Sequence, residues 1–284
     1  MSGAFQWLRT FLKSAAGIVL DDGKQYFVEA RLAPVARRFG AANVEALVQR
    51  LDASRDATLA KAVIDALTTN ETYFFRDRHP FNLFSAEILP AVMKARANER
   101  LIRVWCAGCA TGQEPYSLAM ILDEAAKTLA GWRVELFATD ISGAAIEAAR
   151  NGGYNQFEVQ RGLPVNMLLR YFQRDNERWR VVEHIRARVE FEERNLIADF
   201  SDLGPFDIVF CRNVLIYFDV ATKRDVLSRL ARTCRPEAFL LLGAAETVVD
   251  LCEEWRAHPA HPTLYVNQPL ASSAARRPQL VASR

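Results

Sequence analysis

The sequence predicts an all-α N-terminal domain followed by a doubly wound α/β domain that carries a small inserted β-subdomain. Three observations predict it. Apolar residues recur at helical spacing through residues 1–70, where glycine is scarce and strand-like runs are absent. From Leu101 onward short apolar strands alternate with helical patterns, which is the texture of a mainly parallel sheet. Over residues 155–188 that rhythm breaks.

In the first domain, residues 1–75, helix faces are marked by Tyr26, Phe27, Ala30, Pro34 and Val35, by Val44, Leu47, Val48 and Leu51, and by Leu59, Val63, Ile64 and Leu67. Gly40 after Phe39 stops one helix and Asn43 caps the next. The polar stretch Thr68 to Thr72, ahead of the aromatic run Tyr73-Phe74-Phe75, marks a boundary, and residues 76–99 are a linker with a connecting helix. In the second domain, residues 100–267, strands are expected at Leu101–Trp105, Arg133–Ala138, Val189–Glu193, Phe206–Cys211, Phe239–Gly243 and Thr263–Val266. Helices are expected at Pro115–Ala130, Ser142–Arg150 and Val220–Cys234. Proline in the first turn and Gly131 past the end bound the first of these. Gly152-Gly153 stop the second, and Asp219 caps the third, which ends ahead of Pro236. In the insertion, Trp179 to Val182 after Asp175-Asn176 reads as a strand following a turn. Residues 268–284, rich in Ala, Ser and Arg and without periodicity, are expected to be disordered.

Composition narrows the function classes. Lys and Arg total 36 against 34 Asp and Glu, so the net charge of +2 gives no support for a nucleic-acid partner. No apolar run reaches the ~18–20 residues that span a bilayer. Met1 to Leu20 is amphipathic, with Arg9 and Lys13 among apolar residues, unlike a secretory leader. The expectation is a cytoplasmic protein that is not membrane-embedded. Cys106 and Cys109 form a CxxC without a second ligand pair, so buried thiols are expected and no metal. His79, His184, His258 and His261 make no recognisable triad.

Chemistry-bearing residues gather at strand ends. The loop Cys106 to Gly112 is built of small residues, including Gly108, which let a ligand approach the backbone, and Glu114 follows where a carboxylate reaches an amine or a ribose; a tight turn without a ligand is the alternative. The spacing is neither GxGxxG nor Walker-type, which disfavours NAD and ATP. Asp140 ends the second strand, in the position of a carboxylate that accepts ribose hydroxyls; capping the helix after Ser142 is the alternative. Asn195-Leu196 follows the third strand, where an amide and an apolar neighbour suit a purine edge; a plain turn is equally compatible. Arg212-Asn213 and Tyr217 follow the fourth strand, at the edge where function gathers; burial of Ile216, Tyr217 and Phe218 in the core is the alternative. Arg76, flanked by aromatics at the junction, suits a bidentate grip on a carboxylate; a surface arginine over a hydrophobic staple is the alternative. A nucleoside site without a phosphate-binding signature suggests S-adenosylmethionine.

Four segments, in order and approximate spacing, resemble the CheR chemotaxis receptor methyltransferases: Asn70-x-Thr72-x-Phe74-Phe75-Arg76, Cys109 to Ser117, Ala138 to Ile141, and Phe210 to Phe218. The likeness covers about residues 15–267. It implies a Rossmann-like S-adenosylmethionine-dependent domain that methyl-esterifies receptor glutamates. It implies that Asn70, Thr72 and Arg76 close over the cofactor, that Glu114, Asp140, Asn195, Leu196, Arg212 and Asn213 line its pocket, and that Arg76 and Tyr217 flank the transferred methyl. The implied partner is the cytoplasmic helical bundle of a methyl-accepting receptor, with the enzyme near receptor clusters at the inner membrane. One departure is Arg174-Asp175-Asn176-Glu177-Arg178, short and without the glycine of relatives that dock a receptor's C-terminal peptide, so no such tether is expected. A non-catalytic S-adenosylmethionine-binding adaptor and a methyltransferase for another substrate are the competing readings.

Overall fold

A computed structural model describes residues 3–268. The stretch 268–284 therefore lies outside the described residues, except for Gln268. Four helices come first: α1 (Gly3–Ala16), α2 (Gln25–Arg38), α3 (Val44–Ser54) and α4 (Ala57–Leu67). Their apolar faces close on one core around Leu8, Leu12, Leu32, Leu47, Leu59 and Val63. Asn43 caps α3 by accepting from the Ala46 N–H, and Asp56 caps α4 by accepting from Thr58 and Leu59.

The connection is a continuous helical rod, α5 (His79–Leu83), a wider π turn (Phe84–Ile88) and α6 (Leu89–Ala95). It buries Phe81, Phe84, Ile88 and Leu89 against the sheet that follows, so it packs with the second domain's core.

That sheet has seven strands: β1 (Leu101–Ala107), β2 (Arg133–Asp140), and, after the insertion, β6 (Val189–Glu193), β7 (Phe206–Cys211), β8 (Cys234–Leu242), β9 (Trp255–His258) and β10 (His261–Asn267). Their spatial order is β6-β2-β1-β7-β8-β10-β9. The first five in that order are parallel, β10 is antiparallel to β8, and β9 is antiparallel to β10. Helices α7 (Gln113–Glu124), α8 (Gly143–Asn151) and α12 (Val220–Arg232) cross between strands. The two faces bury separate clusters, one around Phe210, Tyr116 and Ile208, the other around Trp105, Phe206 and Leu227.

The insertion holds β3 (Gly153–Tyr154), α9 (Gln156–Gln160), α10 (Val165–Tyr171), β4 (Phe172–Asp175), β5 (Arg178–Val181) and α11 (Glu183–Arg186), with strand order β3-β5-β4. Its sheet begins at Gly153, and three short helices accompany it. Two helix ends differ from expectation. The helix expected to reach Ala130 ends at Glu124 and continues in turns. The helix expected through Cys234 ends at Arg232, because Cys234 already pairs with Phe206 of β7.

Candidate active site

In the parallel part of the sheet, β2 and β6 lie to one side of β1, and β7 and β8 to the other. The crossovers after β1 and before β7 therefore diverge, and the carboxyl ends of these strands leave a crevice. A cavity with about 810 Å³ of empty space, its mouth included, sits there and is roofed by the N-terminal domain. Asn70, Thr72, Arg76, Gly108, Glu114, Asp140, Asn195, Leu196, Arg212, Asn213 and Tyr217 all line it. The fold thus brings together in one cavity every site residue expected from the sequence.

The β1 turn is built on close approach. Gly108 has φ +81°, and a Cβ there would meet Val214 Cγ2 at 2.3 Å. Any side chain at Gly108 would therefore push the β1 and β7 turns apart. Asp140, 6% exposed, ties this turn to β2. Its Oδ2 accepts from the Ala110 N–H at 2.8 Å and its Oδ1 from the Ser142 N–H at 2.9 Å. The N-cap of α8 is Ser142, which accepts from Ala145. Burial pushes the Asp140 carboxyl above its usual range, against the pull of the two N–H donors.

Arg212 is the hub of the site. Its side chain is 1% exposed. Nη1 donates to Glu114 Oε2 at 2.7 Å, and Nη2 donates to Asp77 Oδ2 at 2.6 Å and to the Arg76 carbonyl at 3.0 Å. It thereby locks the end of β7 to α7 and to the linker. Burial raises the Glu114 carboxyl, and the Arg212 guanidinium opposes that shift. The Asn213 backbone turns at φ +60°, a left-handed position that asparagine tolerates better than most residues with a Cβ.

The linker supplies the mouth. The Phe75 N–H donates to Ser117 Oγ at 3.0 Å, and Arg76 Nη1 donates to the Glu71 carbonyl at 2.9 Å. The Arg76 guanidinium stands 5.7 Å from the Tyr73 ring centroid. From the other side Arg161 of the insertion pairs with Glu71 at 2.9 Å and stacks over the same tyrosine at 4.4 Å. One guanidinium N–H of Arg76 is thus held by the backbone, which fixes its direction and leaves the others for a carboxylate.

The N-terminal domain closes the cavity through backbone contacts. The Val19 N–H donates to the Tyr217 carbonyl at 2.9 Å, and Asn195 Nδ2 donates to the Ala15 carbonyl at 2.8 Å. The Asn195 side chain also accepts from the Ile197 N–H, so it braces the seam between domains and keeps one N–H to offer inward. A Cβ at Gly17 would meet Ile197 and Phe218 at 2.9 Å, so glycine permits the approach. Lys13 pairs with Asp219 at 2.7 Å, and Lys61 pairs with Glu193.

Several participants were given no role of their own by the sequence. Ala16, Ile18, Thr68, Ile141 and Val214 line the cavity, and Asp77 and Ser117 brace it, yet each is of a type that any turn or core supplies. The cavity offers buried carboxylates on one wall, apolar surface at Ile18, Ile141, Leu196 and Phe218, and a guanidinium at the mouth.

Family models agree with this geometry over nearly all of the described chain. The CheR methyltransferase all-alpha domain matches residues 3–68, and the CheR methyltransferase SAM-binding domain matches residues 70–262. Chemotaxis protein methyltransferase 1 of Pseudomonas aeruginosa is 44% identical over 256 residues, covering 89% of this chain and 93% of that protein. Chemotaxis protein methyltransferase Cher2 of Pseudomonas putida is 40% identical with the same coverage. The chemotaxis protein methyltransferase of Salmonella typhimurium is 36% identical, covering 88% of this chain and 86% of that protein. With both of the family's domains matched in order and the cavity between them, the chain belongs to the CheR methyltransferases.

Proposed function

We propose that this protein uses S-adenosylmethionine to methyl-esterify glutamate side chains on the cytoplasmic helical bundle of chemotaxis-type receptors. The observation that carries the reading is the single cavity that combines buried carboxylates, apolar walls and a fixed guanidinium at its mouth. Its donor set fits the cofactor. Asp140 is buried without a cationic partner among the described residues, which suits ribose hydroxyls as donors. Leu196, Ile141 and Asn195 offer two apolar surfaces and an amide for a purine. Glu114, Asn70, Thr72, Asn213 and Gly108 supply acceptors, donors and open backbone for the amino-acid end. When bound, S-adenosylmethionine supplies an electrophilic methyl group on a sulfonium.

The chain's own task is orientation. A glutamate acceptor has an ordinary pKa of about 4.3 and is ionised at neutral pH, so no general base is required. Arg76 holds one acceptor oxygen through its free N–H groups and leaves the other to attack. Tyr217 narrows the approach from the opposite turn. The walls exclude water, which strips solvation from the nucleophile.

Acceptor capture is direct. The β4–β5 hairpin turns through only Asn176 and Glu177, without a glycine, which supports capture without a peptide tether. On α2, Arg31, Arg37 and Arg38 are exposed, and Arg31 reaches the carbonyl of Thr68 at the cavity wall. These cations face acidic receptor helices. Reversing Arg31 and Arg37 to Glu is expected to lower kcat/KM and flatten its salt dependence. Unchanged salt profiles would remove this surface from the account.

Asp140→Ala is expected to weaken S-adenosylhomocysteine binding by about 1–3 kcal/mol. Calorimetry giving wild-type affinity would end the ribose assignment. The acceptor assignment is tested by peptide mapping of a receptor cytoplasmic fragment after incubation with enzyme and S-adenosylmethionine. Methyl groups confined to glutamates support it; methylation of another residue type refutes it.

A further inference from the structure

One buried acid has no part in the chemistry above. Glu246, 8% exposed, sits in the turn after β8. Its carboxylate accepts from four backbone N–H groups: Asn213 at 2.7 Å, Val214 at 2.9 Å, Ile216 at 3.3 Å and Gly243 at 2.7 Å. It pairs with no cation among the described residues. A buried carboxylate is costly unless it is hydrogen-bonded, so these N–H groups are what stabilise it there.

Three of the four donors belong to the turn that carries Arg212, Asn213 and Tyr217. That turn joins the left-handed Asn213 to the short 3-10 segment Leu215–Tyr217. The segment's own backbone bonds run from the Tyr217 N–H to the Val214 carbonyl and from the Phe218 N–H to the Leu215 carbonyl. They leave the N–H groups of Asn213, Val214 and Ile216 to Glu246. Gly243 makes room for the arrangement. A Cβ there would meet Asn213 Nδ2 at 2.7 Å and Glu246 Oε2 at 2.8 Å. Two residues of one turn are thus shaped around the geometry of another.

We infer that Glu246 is a positioning residue, the template that fixes the Asn213–Tyr217 turn against the cofactor and acceptor. The inference rests on the function proposed above for that turn. Gln is nearly isosteric but places an N–H₂ against backbone donors, so it cannot accept all four.

The test compares full-length wild type, Glu246→Gln and Gly243→Ala. Hydrogen exchange at residues 213–216 reads the turn without any ligand. Calorimetry with S-adenosylhomocysteine and steady-state methylation read its consequence. Both variants are expected to exchange faster there and to lose about tenfold in cofactor affinity, the weight of one well-placed hydrogen bond, with a lower kcat as well. Glu246→Asp, which keeps an acceptor-only carboxylate, is expected to recover part of the loss. A residue with a merely structural role would lower the melting temperature and the active fraction while leaving Kd, KM and kcat of the folded protein at wild-type values. That result, or unchanged exchange at 213–216, overturns the inference. Faster exchange with weaker binding supports it even if no receptor is methylated, in which case the acceptor assignment alone has failed.

Discussion

Arg76→Ala is expected to lower turnover by about 10²–10³ while leaving most of the cofactor affinity intact, as for the loss of one preorganised donor at the reacting group. The reasoning is geometric. The guanidinium stands at the cavity mouth, steadied by the Glu71 carbonyl at 2.9 Å and by the Tyr73 ring. The buried wall is served by other residues, so truncation removes acceptor orientation more than cofactor contact. The affinity for S-adenosylhomocysteine should change by less than about fivefold, the equivalent of one modest hydrogen bond. Arg76→Lys keeps the charge and loses the planar fork, so it should fall between the two. Wild-type turnover in the alanine variant would remove Arg76 from the mechanism. A loss of affinity equal to the loss of turnover would move it from the acceptor to the cofactor.

The second large effect is on stability. Arg212→Leu is expected to cost about 3–5 kcal/mol, because it leaves Glu114 buried beside an apolar side chain. Glu114 limits the loss by taking up a proton, in the direction that its burial already pushes. The double variant Arg212→Leu with Glu114→Gln should regain much of the stability, since it removes the stranded charge. It should not regain activity, because the Asp77 and Arg76 carbonyl contacts that dock the linker remain broken. Chemical denaturation distinguishes these cases. A single variant within about 1 kcal/mol of wild type would show that the pair is not a structural hub.

The sequence reveals the strands of the parallel sheet more readily than its antiparallel edge. β1 and β7 are mostly buried runs, β2 is buried toward its carboxyl end and β6 alternates as an edge strand, and each lies within two residues of its expected ends. β8 is harder to read because Pro236 suggests the end of a helix. Here it sits in a bulge: Cys234 pairs with Phe206 and Phe239 with Ile208, so the extra residues bow out and no ladder N–H is needed from proline. β9 is short and mostly exposed, and only its pairing with β10 defines it. The insertion's helices are four to seven residues long, too short for a period to show. Asn155 and Glu158 nonetheless form a capping box that the sequence displays.

For the site, position was legible and partnership was not. A strand's carboxyl end announces where Asp140, Asn195 and Arg212 must lie. What each one holds depends on residues far away in the chain. Arg212 meets Glu114 across 98 positions, and Asn195 meets the Ala15 carbonyl across 180. No local pattern encodes such pairs, and Glu246, an ordinary glutamate in an alanine-rich turn, carries no local signal at all.

The most direct measurement uses methyl-labelled S-adenosylmethionine, the purified protein and the cytoplasmic fragment of a receptor from the same cell. Carboxyl methyl esters release methanol in mild alkali, whereas methylated nitrogen does not. Base-labile label in the receptor band, absent when the receptor's candidate glutamates are alanine, is the expected result. Label that resists alkali, or that persists without those glutamates, would contradict the claim that this cavity makes glutamyl methyl esters.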